Sequence, residues 1–283
     1  MKTIAYVNRK GGVGKSSCVL HLGGAMARRG MRTLIVDMDP QHSLSQGMLG
    51  PPEASALDPS LTVAGLYELG SVVAVGDLLM HVGRPWLRLL AGSERMTDHN
   101  WPRPWEQGQD QFILRDALAE VDGDFDYCLI DCPPHIQGCA WSSLAAADGV
   151  VIPFQAEDFG IQGLVAMLAS IEQARAEANP GLALVGFLAT MHQKALTVHS
   201  GYLADLRSVY GPDVFDNAIP AAKDFEESVT LRKAVCEYKP KAAASKAAEA
   251  VVDELLARVA ERCGGEGRGA GATVSAGRDR GAA

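Results

Sequence analysis

A glycine-rich segment near the start of the chain carries the residue types that bind phosphate. Residues 10–16 read Lys-Gly-Gly-Val-Gly-Lys-Ser and follow a short apolar run. Glycines let a backbone approach phosphate oxygens closely and adopt positive φ, while a lysine and a hydroxyl at a helix start can neutralise phosphate charge and ligate Mg²⁺. The sequence therefore predicts a nucleotide-phosphate loop made of Lys10, Gly11, Gly12, Val13, Gly14, Lys15, Ser16 and Ser17.

This loop departs from the common phosphate-loop pattern G-x-x-x-x-G-K-[ST]. Arg9 stands where the first glycine would fall, and a second lysine, Lys10, precedes the glycines. A plain glycine turn between a strand and a helix is the simpler alternative. Such a turn would not need a lysine and a hydroxyl at the start of the helix. It would also not need the acidic residues that end the later strands.

Two aspartates end apolar, strand-like runs further along the chain. Asp39 follows residues 32–36, and Asp131 follows residues 126–130. The carboxyl ends of parallel strands meet at one edge of a sheet, which is where ligands bind in such folds. An acid there can orient an attacking water, and another can hold Mg²⁺. Either aspartate alone would serve equally well as a turn or helix-cap residue, but beside the loop we predict that both take part in the site.

Alternating strand and helix patterns place these residues in an α/β fold. The predicted strands cover residues 3–8, 32–36, 86–91, 126–130, 149–154, 182–190 and 214–219, and the predicted helices cover 15–29, 110–121, 160–179, 198–210 and 242–262. Such alternation predicts a doubly wound, mostly parallel twisted sheet flanked by helices. Residues 50–110 are expected to form short helices and loops. We predict one domain over residues 1–263 and a disordered Gly/Ala/Arg-rich tail at 264–283.

Composition narrows the class of protein. The chain has 283 residues, a formal net charge of -8 and 21% charged residues, which argues against a uniformly basic nucleic-acid coat but not against a local basic patch. No apolar run is long enough to cross a bilayer, and residues 1–7 resemble a strand rather than a secretion signal, so a cytoplasmic protein is expected. Cys132 and Cys139 come nearest to a metal-ligand pair, but more ligands would be needed; buried, reduced thiols are the better interpretation.

Three segments together resemble the signatures of the ParA/Soj partition ATPases, the deviant-Walker-A group that also contains MinD. They are residues 10–16, residues 37–41 (Asp-Met-Asp-Pro-Gln) and residues 129–134 (Leu-Ile-Asp-Cys-Pro-Pro). The similarity continues through residues 147–153 and 160–168, and more loosely to 219–220, so it spans about residues 1–241.

The resemblance implies an ATP- and Mg²⁺-dependent hydrolase that works as an ATP-sandwich homodimer. By residue, it places Lys10 on the partner subunit's ATP, Lys15 on its own nucleotide and Ser16 on Mg²⁺, with Asp39 supporting hydrolysis and contributing to the metal site and Asp131 as the Walker B acid. Lys10, Lys15 and Asp39 are thus the expected catalytic residues. The ATP dimer would bind DNA nonspecifically, and a ParB-like or other adaptor would stimulate slow hydrolysis and release it. Such a nucleoid-associated cycle moves or spaces a plasmid, chromosome or protein cargo.

Some positions depart from the family pattern. Residues 41–43 read Gln-His-Ser where Gln-Gly-Asn is common. The motions of this switch segment can therefore differ from those of other family members. His135 follows the double proline where serine is frequent; a proton-handling group and a surface-loop histidine are the two alternatives, and the surface-loop histidine is the simpler interpretation.

The expected DNA surface is also unusual. Partition ATPases commonly carry arginines after Thr-Met and after Ile-Pro, whereas the nearest cations here are Lys194 and Lys223. A basic segment, residues 228–248, follows. The predicted DNA-binding residues are Lys194, Lys223, Arg232, Lys233, Lys239, Lys241 and Lys246. A solvated helix face explains the same cations equally well.

Two other classes of function compete with partition. A MinD-like membrane-cycling ATPase would need a C-terminal amphipathic helix with bulky apolar residues beside lysines, and residues 264–283 offer only Val274 as a bulky aliphatic side chain. The other class is metabolic: a nitrogenase-reductase-like electron carrier would need paired cluster cysteines, and an ATP-dependent synthetase would need a dedicated substrate pocket.

Overall fold

A seven-stranded sheet forms the centre of the molecule. The computed structural model describes residues 1–68, 73–156 and 161–264. The strands are β1 Lys2–Tyr6, β2 Thr33–Asp37, β3 Leu79–His81, β4 Leu87–Leu90, β5 Tyr127–Asp131, β6 Gly149–Gln155 and β7 Ala183–Thr190. Their order is β3-β4-β2-β5-β1-β6-β7, and every neighbouring pair is parallel except β3 with β4. The predicted doubly wound, mostly parallel sheet is confirmed.

Helices cover both faces of the sheet. They are α1 Lys15–Arg28, α2 Ser43–Leu49, α3 Pro51–Ser55, α4 Ile113–Glu120, α5 Gly138–Ala146, α6 Ile161–Glu177, α7 Thr197–Tyr210, α8 Lys223–Thr230, α9 Val235–Tyr238 and α10 Ala243–Arg262. Because side chains alternate across a strand, successive residues of one strand pack in two separate hydrophobic cores on opposite faces of the sheet. Ile35 packs in the core that contains α1 and α10, and Val36 packs in the core that contains α4 and α5.

The last helix is docked on the body, as its apolar spacing predicts. Val251, Val252 and Leu255 of α10 are buried in the same core as α1. Arg29, at the end of α1, donates to Glu249 and Asp253 on α10 at 2.6 Å each. No helix within the described ranges is long and apolar enough to cross a membrane.

The strand predicted at residues 214–219 is wrong. Val214 forms one isolated bridge to Phe187, and the sheet described here ends at β7. The reason lies in α10: the Glu254 carboxylate accepts hydrogen bonds from the backbone N–H groups of Asp216 and Asn217, both at 2.8 Å. Those donors are therefore unavailable for a continuous ladder.

The region between β2 and α4 was predicted only in outline. Residues 50–110 contain the short helix α3 and several 3₁₀ turns, as expected, and β4 falls within the predicted strand 86–91. The three-residue antiparallel strand β3 was missed because so short a segment carries no alternating pattern. The predicted tail at residues 264–283 lies outside the described residues except for Gly264, and so does Gly160 of the predicted helix 160–179.

Candidate nucleotide site

The phosphate loop lies between the end of β1 and the first residue of α1. Gly12 has φ 75° and Gly14 has φ 81°, left-handed conformations that favour glycine. Gly14 occupies the N-cap position of α1 and, being glycine, has no side chain to cap this helix end. The first amide groups of a helix point outward with positive partial charge, so the start of α1 is shaped to bind an anion.

Lys15 is buried inside this loop. Only 7% of the residue is exposed, and its ammonium donates to the carbonyl oxygens of Lys10 at 3.2 Å and Asn8 at 3.4 Å. Burial lowers the pKa of Lys15, while Asp131, Cys132 and Asp39 oppose that shift. An ammonium has three donors, and two are used here within the described part of the chain. The third is left for a phosphate oxygen.

Lys10, the other lysine of the loop, is in a different environment. Its side chain is exposed, while its backbone N–H donates to the Asn8 side-chain oxygen at 2.9 Å. The Asn8 amide in turn donates to the Pro153 carbonyl at 2.7 Å, which fixes the loop to the end of β6. One lysine of this loop is therefore buried, and the other lies at the surface.

Two strand-end aspartates lie side by side behind the loop. Asp37 at the end of β2 and Asp131 at the end of β5 are register partners, and both are fully buried. Neither side-chain oxygen of Asp131 has a hydrogen-bond partner in the described structure. Burial, followed by the repulsion of Asp37, raises the pKa of Asp131 well above its usual range, and the nearby Ser16 hydroxyl only partly offsets this.

An unsatisfied buried carboxylate next to a hydroxyl fits a magnesium site. Mg²⁺ prefers oxygen ligands and commonly combines one or two protein oxygens with phosphate and water, and a bound cation would remove the cost of burying the Asp131 charge. Ser16 and Asp131 supply such oxygens. Three or more His, Cys, Asp or Glu side chains grouped around a metal are not found among the described residues, so phosphate and water would complete the shell.

Asp39, predicted to act in hydrolysis and in the metal site, lies just beyond β2. It is partly exposed, and its carboxylate accepts the backbone N–H of Gln41 at 2.9 Å. The negative charge of Asp39 raises the pKa of both Lys15 and Asp131. The structure thus brings Lys15, Ser16, Asp39 and Asp131 to one edge of the sheet, as the sequence predicted.

A cleft beside Gly14 was not anticipated from the sequence. Its volume is about 760 Å³, and its walls come from the phosphate loop, the end of β7 and residues 219–229. Thr190 lies 2.9 Å from the carbonyl oxygens of both Val13 and Phe154, which ties β7 to the loop. A mostly apolar cleft joined to a phosphate loop fits the base and sugar of a nucleotide. In the sequence, residues 190–191 and 219–222 carry no pattern that indicates a nucleotide pocket, because the cleft forms only when the end of β7 meets the phosphate loop.

The predicted DNA-binding cations differ in how they are held. Lys239 forms ion pairs with Asp224 at 2.6 Å and Glu227 at 2.9 Å. Arg232 is partly buried and donates to the carbonyls of Val229 and Thr230. The remaining predicted cations are exposed: Lys194, Lys223, Lys233, Lys241 and Lys246.

The other candidate groups have ordinary environments. His135 is exposed on its loop, in agreement with the surface interpretation. All six cysteines are buried and none forms a disulfide, as expected for reduced thiols. The Cys139 thiol lies 3.4 Å from the Met96 carbonyl, and burial raises the pKa of this thiol to about 12.

Fold and site together define a phosphate-loop nucleotide-binding protein of the α/β class. A family model described as an AAA domain matches residues 1–184. The chromosome partitioning protein ParA of Caulobacter vibrioides is 30% identical over 268 residues, covering 93% of this chain and 96% of the relative. The chromosome-partitioning ATPase Soj of Thermus thermophilus is 31% identical over 261 residues, covering 92% and 98%. The chain belongs to the ParA/Soj family of partition ATPases.

A solved structure gives a similar result for the fold. Cobyrinic acid a,c-diamide synthase from Mycobacterium smegmatis, with bound ATP analog and magnesium, superposes with a TM-score of 0.76 and 27% identity. The match covers 93% of this chain and 97% of that chain. The same architecture therefore serves proteins of different activity, and function must be argued from the site.

Proposed function

We propose that the protein is a partition or positioning ATPase that dimerises when it binds ATP and hydrolyses it slowly. The observation that carries the proposal is the contrast between the two lysines of one loop. Lys15 is buried and faces the loop interior, where one nucleotide would be bound. Lys10 is exposed at the surface of the same loop, where a second subunit that docks on this face would bring its phosphates within reach.

ATP and Mg²⁺ are the proposed substrate and cofactor. Ser16, Asp131 and Asp39 would hold the metal, which neutralises phosphate charge when it is bound. Lys15 would neutralise the β- and γ-phosphates, and Asp39 would orient the attacking water. The magnesium and ATP analog in the similar synthase structure support this choice.

DNA is the proposed surface on which the ATP dimer assembles. Dimerisation would double the exposed lysines of residues 194–246 into one surface, and such a surface binds phosphates without regard to sequence and with strong salt dependence. Release would follow when a ParB-like or other adaptor stimulates hydrolysis. The proposed location is the cytoplasm, on the nucleoid, with a plasmid, chromosome or protein assembly as cargo.

A membrane-cycling role has less support. The apolar face of α10 is buried against α1, so this helix has no free face of the kind that would insert into a bilayer.

An ATP-dependent synthetase is the second candidate, and two observations favour it. One is the 27% identity to an amide-forming synthase. The other is a second cavity of about 500 Å³ beside the Asp39 loop, lined in part by His42, Gly92 and Arg95. A synthetase would turn over ATP only when carboxylate and amine substrates are supplied.

DNA binding in different nucleotide states separates these functions. The experiment is a gel shift on unrelated duplexes with ATP, ADP or no nucleotide, at two salt concentrations, with Lys15→Ala as the control that cannot respond to ATP. The proposal predicts a shift that requires ATP, weakens at the higher salt and is absent in the variant. Binding that ignores the nucleotide, or no binding at low salt, would remove the partition function.

A further inference from the structure

One carboxylate at the sheet edge has no role in the proposed chemistry. Asp37, the last residue of β2, is fully buried. Burying a carboxylate is costly unless it is paired. Within the described residues no lysine or arginine pairs with it, and its partners are instead the backbone N–H groups of Asp39 and Ser45 and the Ser45 hydroxyl.

These bonds join the two ends of one short segment. One oxygen of Asp37 accepts the Asp39 N–H at 3.2 Å. The other accepts the Ser45 N–H at 2.8 Å and the Ser45 hydroxyl at 2.7 Å. Residues 39–45, which carry the proposed hydrolytic acid and the start of α2, are therefore tied at both ends to a single strand residue.

The same network includes the neighbouring strand. The N–H of Gly92, just beyond β4, donates to the Ser45 hydroxyl at 2.8 Å. A Cβ at Gly92 would lie 2.8 Å from the Asp37 carboxyl carbon and 3.0 Å from its backbone oxygen, so the close approach requires glycine. The Ser45 hydroxyl thus donates to the Asp37 carboxylate at the end of β2 and accepts from the Gly92 N–H beyond β4.

The tied segment contains a strained residue. His42 has φ 40°, a left-handed conformation that is unfavourable for a residue with a side chain. Strain of this kind persists when surrounding contacts over-determine the backbone. The ties of Asp37 at both ends of the segment provide such contacts.

We propose that Asp37 is a positioning residue for ATP hydrolysis, which holds Asp39 in place through the Ser45 and Gly92 network without touching the nucleotide. This inference rests on the proposed role of Asp39 in hydrolysis. Misplacing a reacting group by about 1 Å can reduce a rate about 100-fold, so loosening the segment acts on turnover. ATP binding depends on Lys15 and the amides of α1 and is left in place.

The test measures kcat and ATP affinity separately in Ser45→Ala and in the nearly isosteric Asp37→Asn. Ser45→Ala keeps every charge and removes one hydroxyl, so it serves as the test even where Asp37→Asn is poorly folded. Both variants are expected to lose about 10-fold or more in kcat, with the Kd for ATP within about 2-fold of the wild type. Because both changes break one network, the double variant should turn over about as slowly as Asp37→Asn alone.

Ser245→Ala is the matched control. Ser245 is also fully buried, and its hydroxyl bonds to the carbonyls of Val235 and Lys239, away from the Asp39 segment. This variant should lose stability comparable to that lost by Ser45→Ala, with kcat within about 2-fold of wild type. Equal losses of kcat in the two serine variants, or a parallel loss of ATP affinity, would reduce Asp37 to a structural role.

Asp39→Ala distinguishes this inference from the proposed function. If Asp39→Ala loses turnover while Asp37→Asn and Ser45→Ala keep it, only the positioning role is overturned. If the wild type itself hydrolyses no ATP, the proposed function fails and the positioning role fails with it.

Discussion

The nucleotide edge and the basic segment at residues 228–248 both depend on charged side chains, but they hold those charges in different ways. At the nucleotide edge, Lys15 and Asp131 are buried and fixed by strands and a helix N-terminus. In the basic segment, Lys241 and Lys246 are exposed, and Lys239 is already paired with two acids from α8.

This difference distinguishes a site that carries out chemistry from a surface that serves association with a partner. A buried charge acts at full strength on whatever enters the site, because little water screens it. An exposed charge is screened and contributes mainly in numbers. A single substitution should therefore be enough to inactivate the nucleotide site, whereas a DNA surface would lose affinity gradually as cations are removed.

The largest effect is expected from Lys15→Ala. Removing the buried ammonium leaves the phosphate charge without its main cation, so ATP affinity should fall at least ~100-fold and turnover should be lost. Titration with a fluorescent ATP analogue checks the affinity. Normal nucleotide affinity in this variant would place the ATP site elsewhere.

Asp39→Ala should act on the rate and spare binding. Losing the group proposed to orient the attacking water is expected to slow hydrolysis about 100-fold, with ATP affinity near that of the wild type, so the ATP-bound form should accumulate. Single-turnover hydrolysis measures the rate. Unchanged turnover would shift the water-positioning role to another residue.

The two regions are also linked through a buried histidine, which gives a pH prediction. His21 on α1 accepts the N–H of Val235 on α9 at 3.1 Å, and burial lowers the pKa of His21 to about 3. The unfolded chain, with a histidine pKa near 6.5, takes up a proton that the folded chain refuses. The associated stability is therefore complete well above pH 6.5 and is lost as the pH falls toward 3, with about 2 kcal/mol lost by pH 5.

His21→Asn keeps an acceptor for Val235 but does not titrate in this range. Urea unfolding at pH 7 and pH 5 should show a smaller loss of stability at the lower pH in the variant than in the wild type. The same pH dependence in both proteins would mean that the imidazole is hydrated and not held neutral between the two regions.

The smallest effects are expected in the basic segment. Lys239→Ala should change DNA affinity less than 2-fold, because Asp224 and Glu227 already occupy that ammonium. Lys246→Ala should weaken binding by about 3-fold at low salt and reduce the salt dependence. Fluorescence anisotropy on a labelled duplex compares them, and an effect of Lys239→Ala larger than that of Lys246→Ala would reverse the assignment.

The same contrast explains what could be predicted from the sequence. The loop residues and Asp131 were placed correctly because strand ends and a helix start dictate their position whatever surrounds them. The order of β1, β2 and β5 brings them together, and each strand has a clear apolar run.

Features that depend on distant partners could not be predicted. Residues 214–219 have a strand-like composition, but the Glu254 carboxylate takes two of their amides. The bonds from Asp37 to Ser45 and Gly92 are likewise visible only after α2 and β4 are placed. The pairing of Lys239 with acids from α8 cannot be inferred from the basic segment alone.

The central claim is that the exposed lysine of the loop joins two ATP-bound subunits. Sedimentation equilibrium with saturating ATP and Mg²⁺, performed on Asp39→Ala protein so that ATP is retained, measures it directly. The parent protein and an added Arg9→Ala change, which removes the neighbouring exposed cation, should sediment at twice the monomer mass, while an added Lys10→Ala change should leave a monomer that still binds ATP. An intact ATP dimer in the Lys10→Ala protein would contradict the account.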